Sequence, residues 1–157
     1  EIELPEATGE WREQMRRRAR SARATMNRHP WALVLMESRT SPGPATLRHH
    51  DAVIGCLRAA GFPLPLTAHA YAVLDAFVYG FALQEASLPV DSPGEVAPLA
   101  EEIMAGFSPE DYPHLVEFTL GHVMVPGYAF GDSFEVGLDL VLDGLAQARG
   151  AEEGGPA

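Results

Sequence analysis

The sequence predicts an all-α fold, a bundle of about seven helices. Apolar residues recur at helical spacing along almost the whole chain, glycine and proline divide it into segments of helix length, and no alternating run indicates a strand. With 157 residues, 46% of them hydrophobic, the chain is long and apolar enough to form one globular domain. No apolar run approaches the ~18 residues of a membrane span, so no membrane partner is expected.

The charge is strongly acidic and unevenly distributed. Acidic residues number 22 and basic residues 11, all of them arginine, which gives a net charge of −11. Seven of the arginines fall within residues 12–28. We interpret this cluster as the solvated face of an amphipathic helix, because no aromatic or glycine residues accompany it as in a phosphate-binding patch.

The first half of the chain predicts three helices. The first has an apolar stripe with spacings of three and four, and a short apolar segment follows Pro30. A helix is expected from about Ala45 to Ala60, closed by Gly61 in the left-handed conformation. The stripe consists of Trp11, Met15, Ala19, Ala22 and Met26, and the short segment is Trp31 to Met36.

The middle of the chain predicts its longest apolar helix. Pro63 and Pro65 form a rigid link to Thr67, which is the expected N-cap. Over the helix from Ala68 to Ala86, small residues recur every fourth position, so another helix can approach closely. These small residues are Ala68, Ala72, Ala76 and Gly80.

The last part of the chain predicts further helices, which end near Gly106, Val123 and Gly150. The first begins with a capping box at Ser92–Glu95, the second at Pro113, and the last with the pair Asp132 and Glu135. Residues 1–150 are therefore expected to form one helical domain, and 151–157 a disordered tail.

Motifs for catalysis or metal binding are weak. Cys56 lies among apolar residues and is expected to be a small buried side chain, in a protein of a reducing compartment. His49 and His50 are adjacent on a helix, so they point about 100° apart and do not readily share a metal. No phosphate loop, dinucleotide fingerprint or nucleophile elbow is present. We expect no enzyme activity, no cofactor and no metal site.

Polar residues on apolar helix faces are the more informative feature. His50 shares a face with Val53, Ile54 and Leu57. Tyr71 lies one turn before Asp75 on the long apolar helix. A carboxylate in such a position needs a partner or a wet cavity. The cluster is therefore either an internal hydrogen-bond network or the polar part of a small-molecule pocket.

Several segments in order resemble the C-terminal regulatory domain of TetR-family transcriptional repressors, over about residues 11–148. The segments are Arg28–Trp31, Ser41–Pro44, Arg58–Phe62, Tyr79–Glu85 and Phe134–Leu145. The resemblance implies a cytoplasmic bacterial homodimer whose N-terminal helix-turn-helix binds operator DNA until an unknown small-molecule effector enters the helical core. The chain starts about where that head would end, so we expect the sensing and dimerising part of a longer repressor.

The resemblance also implies two sets of residues. The expected ligand-binding residues are Met15, Met26, Met36, His50, Val53, Leu57, Tyr71 and Asp75. The expected interface is a four-helix arrangement of 67–86 and 133–148 with their copies, through Ala72, Ala76, Phe77, Gly80, Phe81, Phe134, Leu138, Val141, Leu142 and Leu145. The alternatives are a structural dimerisation module without a ligand and, less favoured, a small helical enzyme or metal protein using His50 and Asp75.

Overall fold

A computed structural model describes residues 2–31, 43–88, 93–106 and 108–153, and in these ranges all regular secondary structure is helical. The predicted all-α class is confirmed, and the six α-helices of the described ranges are close to the expected number. They are α1 (Trp11–Arg28), α2 (Pro44–Ala59), α3 (Leu64–Ser87), α4 (Pro93–Met104), α5 (Pro113–Phe118) and α6 (Ser133–Glu153). The predicted helix from Trp31 to Met36 lies outside the described residues, apart from its first residue.

The chain forms two compact units. One consists of Glu1–Ala86 with Glu135–Ala157, and so contains α1, α2, and most of α3 and α6. The other, Ser87–Phe134, contains α4 and α5, and there α5 continues into a π-helical turn, Thr119–Val123. The predicted helix from Pro113 to Val123 is thus present, with its last turn widened.

The apolar stripe of α1 is buried as predicted. Met15, Ala19 and Ala22 have no exposed surface, and Trp11 and Met26 are at most 5% exposed. At the start of the helix the Glu10 carboxylate accepts a hydrogen bond from the Glu13 amide at 3.1 Å. The helix therefore has both a side-chain cap and a buried face.

The turn between α2 and α3 confirms one prediction and corrects another. Gly61 is in the left-handed conformation, with φ of +87°, and the Phe62 amide donates to the Leu57 carbonyl at 3.2 Å. Thr67 is not an N-cap, because α3 already begins at Leu64. Its hydroxyl donates back to the carbonyls of Phe62, at 3.2 Å, and Pro63, at 3.0 Å. A proline in a first turn, here Pro65, loses no helical hydrogen bond, so the helix starts earlier than expected.

Helix α3 is longer than the helix predicted from Ala68 to Ala86, and it is apolar over more of its length. By length and composition it is the one helix of the described ranges that could cross a membrane, a criterion that core helices of soluble proteins also meet. Only 28% of its most apolar stretch is buried within the chain. Much of its apolar surface is therefore exposed in the part of the chain that the structure describes.

Helix α6 follows a 3₁₀ turn, Phe130–Asp132, and continues to Glu153. It extends past Gly150, where the sequence predicted its end. A single glycine costs a helix only about 1 kcal/mol relative to alanine, which does not stop the last turn from forming.

A ladder of ion pairs joins α1 to α6. Arg20 forms a bidentate pair with Glu135, with two N···O distances of 2.8 Å. In each of the next two pairs the arginine lies four residues earlier on α1 and the acid four residues later on α6, so the two helices are antiparallel. The other two pairs are Arg16 with Asp139 and Arg12 with Asp143.

These pairs correct the interpretation of the arginine cluster as a merely solvated face. Arg12, Arg16 and Arg20 are partly exposed but bound to acids of α6, and Arg23 of α1 forms a bidentate pair with Glu85 of α3. Arg18 is entirely buried.

Helix packing predicts opposite outcomes for two glycine-to-alanine changes. A Cβ at Gly137 of α6 would lie 2.6 Å from the Phe77 ring, whereas a Cβ at Gly55 of α2 would meet nothing within 4 Å among the described residues. We expect Gly55→Ala to raise the free energy of unfolding by up to about 1 kcal/mol, the difference in helix propensity. Gly137→Ala should not show this gain, because its Cβ would clash with the Phe77 ring. Urea unfolding measures the free energy of unfolding of both variants. Equal stabilisation by both changes would contradict the described contact between α3 and α6.

Candidate functional site

A buried arginine is the centre of the candidate site. Arg18 of α1 is 1% exposed, and its Nη2 donates to Oδ1 of Asp75 on α3. Its Nε and Nη2 also face Nε2 of His49 on α2, at 3.2 and 3.1 Å. An arginine stays charged in the interior, so it requires these partners. Three helices thereby converge on one guanidinium.

Asp75 has a second partner on its own helix. Tyr71 lies one turn earlier and is hydrogen-bonded to the Asp75 side chain. Burial, and then the charge of Asp75, raise the pKa of the Tyr71 phenol, which keeps it protonated as a donor. Asp75 itself is 18% exposed. The prediction that Asp75 needs a partner is confirmed.

The two histidines differ in their roles. Burial, and then the charge of Arg18, lower the pKa of His49, so its imidazole is neutral and Nε2 accepts from the guanidinium. His50 is half-buried and packs edge-on against Tyr71, with ring centroids 5.4 Å apart. The cluster of Arg18, His49, His50, Tyr71 and Asp75, called here the Arg18 cluster, combines a cation, an anion, a donor and an acceptor.

The predicted ligand-binding residues divide into two groups. Three are half-buried members of the Arg18 cluster, namely His50, Tyr71 and Asp75. Four are core side chains at most 2% exposed, namely Met15, Met26, Val53 and Leu57. Met36 lies outside the described residues.

Sequence reasoning missed Arg18 and His49. A signal for Arg18 was available, because it lies three residues after Met15 and four before Ala22, on the apolar stripe of α1. It was hidden by the six neighbouring arginines of residues 12–28. His49 had no comparable signal, since it directly precedes His50 and either could have faced inward.

Potential metal ligands do not cluster in the described part of the chain, and the cysteine is buried. Over the ranges that the structure covers, no three His, Cys, Asp or Glu side chains are placed to hold a metal ion. Cys56 is 3% exposed, and burial raises the pKa of its thiol. The prediction of a small buried side chain is confirmed.

Comparison with known proteins decides the family. The family model described as tetracyclin repressor-like, C-terminal domain, matches residues 4–149. The chain belongs to this TetR-like family. The resemblance seen in the sequence is thereby confirmed.

Two curated relatives are transcriptional regulators. The repressor DrrR1 of Streptomyces coeruleorubidus is 30% identical over 90% of this chain and 55% of its own length. A regulator of Saccharopolyspora erythraea is 29% identical over 97% of this chain and 63% of its own length. The chain thus spans between half and two thirds of these relatives.

Solved structures agree in fold. A possible TetR-family regulator from Streptomyces coelicolor A3(2) has a TM-score of 0.69 at 31% identity, covering 89% of this chain and 66% of its own. ActR of Streptomyces coelicolor, solved in complex with actinorhodin, has a TM-score of 0.73 at 25% identity, covering 96% and 70%.

The interface residues implied by the TetR resemblance differ in exposure. On α6, Phe134, Leu138, Leu142 and Leu145 are at most 8% exposed and Val141 is half-buried. On α3, Ala72 and Ala76 are exposed, and Phe77, Gly80 and Phe81 are half-buried.

Four of the predicted interface residues on α6 are thus buried within the chain itself. The exposed apolar side chains of this helix are instead Val136, at 63%, and Leu140, at 69%. The exposed apolar surface of α6 therefore lies on a different face of the helix from these four residues.

Breaking the buried pair should cost far more than breaking an exposed one. Asp75→Asn leaves the Arg18 charge without its carboxylate, so we expect a loss of about 3 kcal/mol in the free energy of unfolding. The matched control, Asp143→Asn, removes the acid of the exposed pair with Arg12 and should cost less than ~1 kcal/mol. Urea unfolding of both variants measures this difference. Comparable losses would refute the distinct role of the Arg18 cluster.

His49 should make the protein less stable in mild acid. Because its pKa is lowered in the fold, its contribution is full above its ordinary pKa of about 6.5 and is lost as the pH falls below that value. The melting temperature should fall between pH 7 and 5, and His49→Gln, which keeps an acceptor but does not titrate, should flatten this fall.

Two acidic residues with shifted pKa values do not interfere with this measurement. Arginine partners lower the pKa values of Glu85 and Glu135, so these carboxylates lose their contribution only at more acidic pH. An unchanged slope between pH 7 and 5 in His49→Gln would show that His49 does not face the guanidinium as a neutral acceptor.

Proposed function

We propose that this chain is the effector-sensing and dimerising domain of a TetR-family transcriptional repressor. A small molecule bound in the helical core would release a helix-turn-helix head of the full-length protein from operator DNA. The observation that supports this most directly is the Arg18 cluster, in which one buried guanidinium and four half-buried polar side chains lie within an otherwise apolar set of helices.

The chemistry of the cluster suits a small-molecule site. Such sites are mostly apolar, with a few polar groups that orient the ligand. Met15, Met26, Val53 and Leu57 supply apolar core near these helices, and methionine adapts well to ligands of irregular shape. His50, Tyr71 and Asp75 are half-buried, which leaves them within reach of a ligand.

The relatives support the same role. DrrR1 is a repressor, and ActR has been solved with actinorhodin bound in a structure of similar fold. Because this chain spans only part of the curated relatives, operator binding is proposed for the full-length protein. The charge of −11, and the arginines of α1 paired with acids, make this domain itself a poor match for DNA.

Homodimerisation is proposed through α3 and α6. On α3, Ala72, Val73, Ala76 and Leu83 are exposed, and on α6 the exposed apolar residues are Val136 and Leu140. Small residues such as the two alanines let a partner helix approach closely, and large exposed apolar surface is typical of interfaces. Two copies pairing through both helices would form a four-helix interface.

Ligand binding should appear as thermal stabilisation. A ligand that binds only the folded protein raises its melting temperature in a concentration-dependent way. We expect one or more members of a panel of apolar small molecules, with actinorhodin as the first compound, to do so for the wild type. Tyr71→Phe should reduce the response, and Tyr112→Phe, outside the unit that contains the Arg18 cluster, should retain it. A panel without any response would favour a purely structural dimerisation module.

Dimerisation should depend on the exposed face of α6. Leu140→Glu places a charge in the proposed interface, so we expect a monomer at micromolar concentration where the wild type is a dimer. The matched control is Leu47→Glu on α2. Leu47 is 54% exposed, and this substitution should leave the dimer intact. Light scattering coupled to size exclusion gives both masses. A monomeric wild type would contradict the proposed assembly.

A further inference from the structure

We propose that Arg18 anchors the effector, and that the effector is an apolar compound with a carboxylate group. The carboxylate would take the place of Asp75 on the Arg18 guanidinium. This inference rests on the proposed function and assigns to that site a residue and a ligand class.

The guanidinium has donor capacity beyond its present partners. An arginine has five N–H donors in a planar fork that matches a carboxylate in a bidentate pair. Within the described residues, Arg18 donates only from Nε and Nη2, and of the two Asp75 oxygens only Oδ1 accepts from it. Its Nη1 donates to no described residue and is not one of the fully buried atoms without a partner, so it keeps a small solvent exposure. The Arg18–Asp75 pair is thus monodentate where a better fit is possible.

The unequal burial of the pair determines which partner can be exchanged. Arg18 is 1% exposed and Asp75 is 18% exposed. Asp75 keeps contact with solvent at its own position, whereas the Arg18 charge lies in the interior and depends on its protein partners. Any group that displaces Asp75 must therefore supply the negative charge that Arg18 needs.

The neighbouring side chains favour an anion over a cation. His49 is neutral and accepts from Arg18, and the Tyr71 phenol is a protonated donor close to Asp75. A cationic ligand would be repelled by the fixed charge of Arg18. A carboxylate would meet the guanidinium and the phenol together, and the displacement would separate α1 from Asp75 of α3.

Chemical rescue tests whether a foreign carboxylate reaches Arg18. Asp75→Ala removes the internal carboxylate and leaves space beside the guanidinium. We expect about 100 mM acetate to raise the melting temperature of this variant by about 3 °C over chloride at equal ionic strength and pH. Acetamide, which is neutral, should have no such effect, and the wild type should respond little because Asp75 occupies the site. Equal melting temperatures in acetate and chloride would overturn the proposal.

A matched variant and larger acids complete the test. Asp139→Ala removes the acid partner of the partly exposed Arg16, so acetate should not rescue it; an equal rescue would show a general salt effect and overturn the proposal. Benzoate should rescue Asp75→Ala at least as well as acetate, and benzamide should not. Rescue by acetate but not by benzoate would mean that the space holds an ion and no apolar body, which also overturns the assignment.

The outcomes separate this inference from the proposed function. Suppose that neutral compounds stabilise the wild type but no carboxylate rescues the variant. The proposed ligand-sensing function would then stand, and only the assignment of a carboxylate ligand would be overturned. If Asp75→Ala does not fold in chloride, recovery of its helical circular dichroism in acetate is the expected result. Asp75→Ser is a milder variant, and the same comparison of its melting temperature in acetate and in chloride tests the proposal.

Discussion

The buried charge of Arg18 is the constraint on which the arrangement of α1, α2 and α3 depends. A guanidinium stays protonated at any pH at which the protein is folded, so the interior must provide an acid and an acceptor at fixed positions. Asp75 and His49 provide them from two different helices. The rotation of α1 about its axis is therefore set by a polar requirement as well as by its apolar stripe.

The ion pairs between α1 and α6 have the complementary role. Exposed pairs such as Arg20 with Glu135 contribute at most about 1 kcal/mol each, so they add little to stability. Their four-residue spacing on both helices nevertheless favours one register, since a shift by one residue would break all three pairs. The interior pair fixes the rotation of α1, and the surface ladder fixes its position along α6.

Much of the fold was predictable because it follows from local periodicity and turn chemistry. The stripe of α1 and the left-handed Gly61 are visible in the sequence without any knowledge of the neighbours. The site was predictable only in part. An acid on an apolar helix indicates that Asp75 needs a partner, but residue spacing does not identify a partner that lies on another helix. The faces of α6 show the same limit. Leu138 and Leu140 are both apolar, and only the packing decides which is buried and which is exposed.

The two proposed functions meet in a single helix. Asp75 and Ala76 are consecutive on α3, about 100° apart, so one points toward Arg18 and the other is exposed on the proposed dimer face. A helix of 24 residues moves largely as a rigid body, because its backbone hydrogen bonds resist local change. Loss of the bond between Asp75 and Arg18 would therefore alter how α3 sits against α1, and with it the surface presented to the second subunit. Under these two proposals sensing and assembly need no long chain of contacts between them, since neighbouring residues of α3 would serve both.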